Sequence, residues 1–281
     1  MSAVRPQPPA TRLKSLLQST LLAVAGFLLG LWLAFPAVSV SRYLLAEISR
    51  QGIAIAPSGL KRSWPLGIEA TSAAISVPGL QGHTLRLDRI ALTPALLPAP
   101  AVRLTAGFWQ GQLEAVADRH RNIRLDLQSA RIPAELSAGL PLTVAGRIAS
   151  LTFSGRLPLA GANQSRAELI LEGLTLQGLT SLGAGQDSLK LGKLHANVEG
   201  TGNRLKLTRL GVDGALRVAG SGTIWLGQTP ATTRINLQLT LTPTPALDPG
   251  IRDLLALLGK GAADGSISLR LGGTLAAPHA R

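Results

Sequence analysis

The residues most capable of catalysis or metal binding are scattered along this sequence. Its four histidines, His83, His120, His195 and His279, lie far apart in segments typical of turns or a tail. None belongs to an H-x-x-x-H or H-E-x-x-H pattern, which would place two imidazoles on one face of a helix. The acidic residues form no close pair for general acid–base chemistry, and no G-x-S-x-G motif is present. The sequence therefore predicts a protein that is not an enzyme and that has no metal or other cofactor.

The composition excludes several classes of function. The chain has no cysteine, which rules out disulfide scaffolds, thiol catalysis and cysteine-based zinc sites. Its formal charge is +13, from 28 Lys and Arg against 15 Asp and Glu. Most cations stand singly between apolar residues, and the densest group, residues 119–124, is flanked by Asp118 and Asp126. Such an even positive field attracts anionic membranes or polymers as readily as DNA. Together with the topology predicted below, it leads us to expect no nucleic-acid partner.

An apolar segment near the N-terminus predicts a membrane helix. Ser15 to Ser41 is a run of 27 residues without a charged side chain. A bilayer core about 30 Å thick needs roughly 20 apolar residues of helix, and this segment meets that length. The side chains expected to contact inner-membrane lipid are Leu16, Leu21, Leu22, Phe27, Leu28, Leu31, Trp32 and Phe35.

The charges beside this segment predict its orientation. Arg5, Arg12 and Lys14 precede it, so the positive-inside rule places the N-terminus in the cytoplasm. The protein is then a single-pass inner-membrane protein with a periplasmic C-terminal domain. A signal peptide cleaved near Ala37 is the alternative, although signal h-regions usually have about 7–15 residues.

The rest of the chain alternates apolar and polar residues, as in 123–128 and 235–242. This period of two is typical of strands with one apolar and one solvated face. Clusters of Gly and Asn separate roughly a dozen or more such segments. We predict a mainly β protein in which one transmembrane helix precedes an extended, curved antiparallel β-sheet, forming a β-groove or a flattened sandwich.

One late amphipathic helix is predicted from Asp248 to Leu258. Asp248 suits the N-cap, Pro249 the first helical position and Gly259 the C′ position. The residues expected to cover the sheet are Ile251, Leu254, Leu255 and Leu258, which share one helical face. A single helix of about three turns is too small to cover every strand. Either the sheet folds on itself or an apolar groove stays open.

These features divide the chain into four parts. Residues 1–12 are expected to form a disordered cytoplasmic tail, and residues 13–51 a transmembrane and juxtamembrane helix. Residues 52–278 are expected to form the periplasmic β-rich domain, followed by a short tail at 279–281.

The order of these features resembles a known family. A basic N-terminus leads into one membrane helix ending at Phe35 and Pro36, and a Pro-Leu-Gly segment follows at 65–67. After the β region and the Leu-rich helix, the chain closes with Gly-Thr-Leu-Ala-Ala-Pro at 273–278. This arrangement resembles the type II secretion system protein N family and, more distantly, the AsmA-like β-groove proteins of Gram-negative envelopes.

The resemblance implies a non-enzymatic accessory of the type II secretion system. Such a protein would act by scaffolding contacts with other secretion components in the periplasm. The alternative it implies is an AsmA-like module that binds or transports lipid or another envelope component, with phospholipid bound in an apolar groove. The family has no catalytic residues to carry over.

Overall fold

The alternation of apolar and polar residues produces one antiparallel β-sheet. The computed structural model of the chain describes residues 54–63, 67–76, 84–95, 100–134, 142–156, 163–182, 185–227, 231–258, 260–261 and 265–280. The predicted tail at 1–12 and membrane helix at 13–51 lie outside these residues, and so do their candidate lipid contacts and topology charges. Within the described part, no helix has the length and apolar character needed to cross a membrane.

Sixteen strands and one α-helix are present in these residues. The strands are β1 (Ala54–Ser58), β2 (Lys61–Ser63), β3 (Gly67–Ser76), β4 (Thr84–Ala95), β5 (Ala101–Phe108), β6 (Gly111–Asp118), β7 (Asn122–Arg131), β8 (Thr143–Arg156), β9 (Gln164–Gln177), β10 (Ser188–Thr201), β11 (Arg204–Asp213), β12 (Leu216–Trp225), β13 (Arg234–Pro243), β14 (Lys260–Gly261), β15 (Ile267–Thr274) and β16 (Pro278–Ala280). The helix is α1 (Pro249–Leu258).

The sheet is an antiparallel meander. From β3 to β13, each strand pairs with the next strand in the chain, and β15 then pairs with β13. Antiparallel neighbours can be joined by short turns, as in the two-residue connections that follow β5, β10 and β11, whereas other connections in the meander are longer. The prediction of a mainly β protein built on one large antiparallel sheet is confirmed.

Both edges of the sheet are covered by short strands. β1 and β2 pair with successive parts of β3 at one edge, and β14 and β16 pair with β15 at the other. β1 contains Pro57 and β16 begins at Pro278, residues that lack an N–H group for further pairing. These features discourage addition of another strand. His279 and Ala280, which the sequence places in a tail, pair with β15 as part of β16.

Helix α1 covers one end of the apolar face. Asp248 caps it, since its Oδ1 accepts a hydrogen bond from the Ile251 N–H at 3.3 Å. Ile251 is buried, and Leu255 packs against the same cluster. The side chains of Leu254 and Leu258 lie outside what the structure describes. The first core cluster includes Leu174, Leu179, Leu189, Leu191, Val212, Leu216, Leu241, Leu247, Ile251 and Ile267.

A second core cluster lies on β7 and β8. Its buried members are Leu127, Ala130 and Ile148. Phe108 and Trp109 pack against it with their rings stacked, the centroids 4.3 Å apart. Trp109 and Gln110 both have positive φ, so they form the two-residue turn between β5 and β6 in the conformation that suits a hairpin.

Candidate functional site

The largest candidate site is a row of apolar residues that crosses the sheet. The row has one residue on each of twelve successive strands, and each residue lies directly opposite the next one on the neighbouring strand. The row consists of Ile68, Leu92, Leu104, Ala115, Leu125, Phe153, Ala167, Val198, Leu207, Gly222, Leu237 and Leu271. Strands in a sheet are about 4.8 Å apart, so this apolar row spans about 50 Å.

Most of the apolar row is accessible. Ile68 and Leu207 are buried, whereas the other ten members are half-buried. Helix α1 packs on the first core cluster, at the end of the face where β13 finishes and β15 begins. Helix α1 therefore does not cover the whole apolar face of the sheet, and the apolar row is part of the surface that stays accessible.

The apolar row offers hydrophobic contact without hydrogen-bonding groups. In an antiparallel ladder, the backbone N–H and C=O groups of central strands bond to the neighbouring strands. The side chains of the row are aliphatic or aromatic, apart from Gly222. This surface suits a ligand that itself has no polar groups to satisfy.

The structure does not bring together the three histidines that it describes, and His83 lies outside the described residues. His120 lies in the exposed turn between β6 and β7, where its Nε2 accepts a hydrogen bond from Arg119 Nε at 3.1 Å. His195 is in the middle of β10, paired with Ile170 and Gly211, and His279 is on the edge strand β16. In the part of the chain that is described, no three His, Asp or Glu side chains are grouped as metal ligands.

The turn between β6 and β7 is organised by the Asp118 carboxylate. It accepts hydrogen bonds from the His120 N–H at 2.8 Å, from the Asn122 N–H at 2.9 Å and from Asn122 Nδ2 at 2.7 Å. The Asn122 side-chain bond is the main reason that the pKa of Asp118 lies below its ordinary value, and the backbone N–H groups of Asn122 and His120 lower it further. The charged form of Asp118 therefore holds this basic turn in shape.

We expect Asp118→Asn to remove a pH-dependent part of the stability. Because the folded-state pKa is lowered, the ionised carboxylate stabilises the fold fully above the ordinary value of 3.8, and this contribution is lost as the pH falls through the lowered pKa. The difference in free energy of unfolding between wild type and variant should shrink on acidification below 3.8. Urea denaturation at a series of pH values measures it, and Asp253→Asn in α1 is the matched control. A difference independent of pH would contradict the role assigned to the carboxylate.

The sequence did not identify the members of the apolar row. Alternation within each strand assigns side chains to a face, but it does not say which residues of two strands are partners. That information comes from the register, which turns and bulges determine.

Comparison with models of known protein families, with curated proteins and with solved structures finds no match to this chain.

Proposed function

We propose that this protein is a non-enzymatic envelope component whose β-sheet forms a groove for the acyl chains of phospholipid. The observation that supports it is the apolar row, ten of whose twelve residues are half-buried rather than buried. Covering the exposed part of these side chains gains about 25 cal/mol for each Å² of apolar surface removed from water. A ligand that lies across several strands would cover several of these side chains, and the free energies gained at each of them would add.

The chemistry of the row favours hydrocarbon as the ligand. Its side chains offer no donors or acceptors, and a polar ligand would lose its bonds to water without replacement there. An acyl chain has no such bonds to lose. The membrane helix predicted at 13–51 would hold the β domain beside the inner membrane, with the N-terminus in the cytoplasm, and so within reach of phospholipid.

We expect Leu237→Arg to abolish binding of phospholipid to the full-length protein. Leu237 lies in the apolar row on β13, and a guanidinium there would place a charge where the acyl chain lies. Gln238→Arg is the matched control, because it adds the same group to the adjacent, exposed residue on the opposite face.

The measurement is the amount of phospholipid that co-purifies with each variant, determined by mass spectrometry after exchange into neutral detergent. Wild type and Gln238→Arg should retain lipid and Leu237→Arg should not. Equal lipid content in all three proteins, or none in wild type, would contradict the proposed groove.

The second candidate function is a scaffold of the type II secretion system. It rests on the resemblance, and the observation that favours it is the position of the late helix and the closing segment. Helix α1 contacts β15, and the closing segment at 273–278 connects the end of β15 to the start of β16. Such a terminal unit offers a defined surface to another secretion component. If gene deletion left both secretion and assembly of the complex unchanged, this candidate would be excluded, whatever the outcome of the lipid measurement.

A further inference from the structure

The polar face of the sheet carries an open basin with a volume of about 1410 Å³. It lies where β5, β7, β9 and β11 begin and where β6, β8 and β10 end. This position is on the opposite face from the apolar row, since the lining residues Arg124 and Arg166 alternate with Leu125 and Ala167 along their strands. The basin is therefore independent of the proposed acyl-chain groove.

Four cations in the basin form a regular row. Arg103, Arg124, Arg166 and Lys206 lie on β5, β7, β9 and β11, one on every second strand. The residues between them in register are Val116, Ser154 and Glu199. Because neighbouring strands are about 4.8 Å apart, the backbone positions of successive cations are roughly 9–10 Å apart. We call these four residues the basic row.

The basin has an excess of positive charge. Within the described part of the chain, five cationic and three acidic side chains line it, which leaves two positive charges in excess. Arg103 Nε lies 3.2 Å from Glu114 Oε1, and Arg166 pairs with Glu199. Among the described residues, Arg124 and Lys206 have no carboxylate within ion-pair distance. These two cations are available to an external anion.

The adjacent turn adds to this positive field. Asp118, the third acidic residue of the basin, has its carboxylate occupied by the three hydrogen bonds of the turn between β6 and β7. Arg156 Nε donates to the His120 carbonyl at 3.0 Å and so fixes this turn to the end of β8. The turn carries the exposed residues Arg119 and Arg121. The densest group of cations in the sequence therefore lies at the rim of the basin.

The spacing indicates the kind of anion. The two cations available to an external anion, Arg124 and Lys206, are four strands apart, which is roughly 19 Å. This separation suits two charges repeated along a linear polymer better than one phosphate or carboxylate. Of the residues that the structure describes, none that lines the basin is aromatic, so they form no platform on which the bases of a single-stranded nucleic acid could stack. The polar face also carries Glu114, Asp126 and Glu168, each two residues along its strand from the line of the basic row. These carboxylates would repel a polyanion. A bound polymer is thus confined to the basic row.

We propose that the basic row binds a linear acidic polysaccharide, with carboxylates spaced along the polymer paired to cations on alternate strands. Arg124 and Lys206 make the main contacts, and Arg103 and Arg166 contribute while keeping their ion pairs with Glu114 and Glu199.

The test uses the full-length protein in neutral detergent and fluorescently labelled oligomers of polygalacturonate. Fluorescence anisotropy at several salt concentrations gives the affinity and its salt dependence. We expect the double variant Arg124→Gln/Lys206→Gln to bind at least tenfold more weakly. Its slope of log affinity against log salt should become shallower by about 1–2, because each neutralised charge contributes roughly 0.7–0.9 on nucleic-acid polyanions.

The matched control is Arg217→Gln/Arg270→Gln. It removes the same charge from exposed positions of the polar face on β12 and β15, outside the basin. It should bind like wild type apart from a small general effect of net charge. An equal loss of affinity in both double variants would overturn the proposal, because the attraction would then depend on total charge alone.

A third variant is expected to bind more tightly than wild type, a result that a protein with a damaged fold could not give. Glu199→Gln removes a negative charge from the basin and releases Arg166, so it should bind the oligomers severalfold more tightly than wild type does. No increase would overturn the proposal. The proposal would also be overturned if anionic phospholipid vesicles, a single-stranded DNA oligomer or inorganic phosphate bound more tightly than polygalacturonate.

Discussion

Replacing Leu127 by alanine is expected to lower the free energy of unfolding by about 2–5 kcal/mol. Leu127 is only 3% exposed and forms the second core cluster with Ala130 and Ile148. The truncation removes buried apolar contact and leaves a cavity that the surrounding strands fill only in part. Few residues of this single sheet are buried so completely, so the loss at this position should be among the largest in the domain.

Urea denaturation of the full-length protein followed by circular dichroism measures this change. Leu125→Ala is the control on the same strand and the same face, since Leu125 is half-buried and only packs against the cluster. Its loss should be clearly smaller. Equal losses for the two variants would show that residues 127, 130 and 148 do not form a separate core.

Replacing Ile251 by alanine is expected to loosen one end of the sheet and leave the other end intact. Ile251 is 5% exposed and, among the α1 side chains that the structure describes, is the one buried in the first core cluster. Its truncation should also cost about 2–5 kcal/mol. In a meander, each strand contacts mainly its two neighbours, as in repeat proteins, so a local loss of packing need not spread along the sheet.

Hydrogen exchange followed by mass spectrometry distinguishes a local from a global effect. Amides of α1, β13 and β15 should exchange faster in Ile251→Ala, whereas those of β5–β8 should keep their protection. Asp253→Ala, an exposed substitution in the same helix, should change neither region. Faster exchange over the whole sheet would contradict the local behaviour expected of this topology.

The local features of the sequence were sufficient to predict the secondary structure. Alternation such as that of 235–242 requires a strand with one apolar face, because successive side chains point to opposite sides. The helix could be predicted because Asp248, Pro249 and the apolar spacing that includes Ile251 and Leu255 act within a few residues of one another. The membrane helix at 13–51 and the type II secretion role remain predictions.

The arrangement of the strands could not be predicted in the same way. Arg89 and Gly192 have positive φ, and the register shifts beside both of them. A bulge of this kind moves the following residues of a strand to the other face. The sequence alone therefore left open whether the strands would form a groove or a flattened sandwich, and which residues would be neighbours.

By itself, the sequence determined that the chain is rich in strands with one apolar face, that a capped helix follows them and that no catalytic motif is present. Each of these depends on residues close together in the chain. Only the tertiary structure decided that Leu125, Phe153 and Ala167 continue one apolar row, and that Arg124 and Lys206 belong to one basin. These residues are far apart in the chain, and cross-strand pairing, which no short sequence pattern encodes, brings them together.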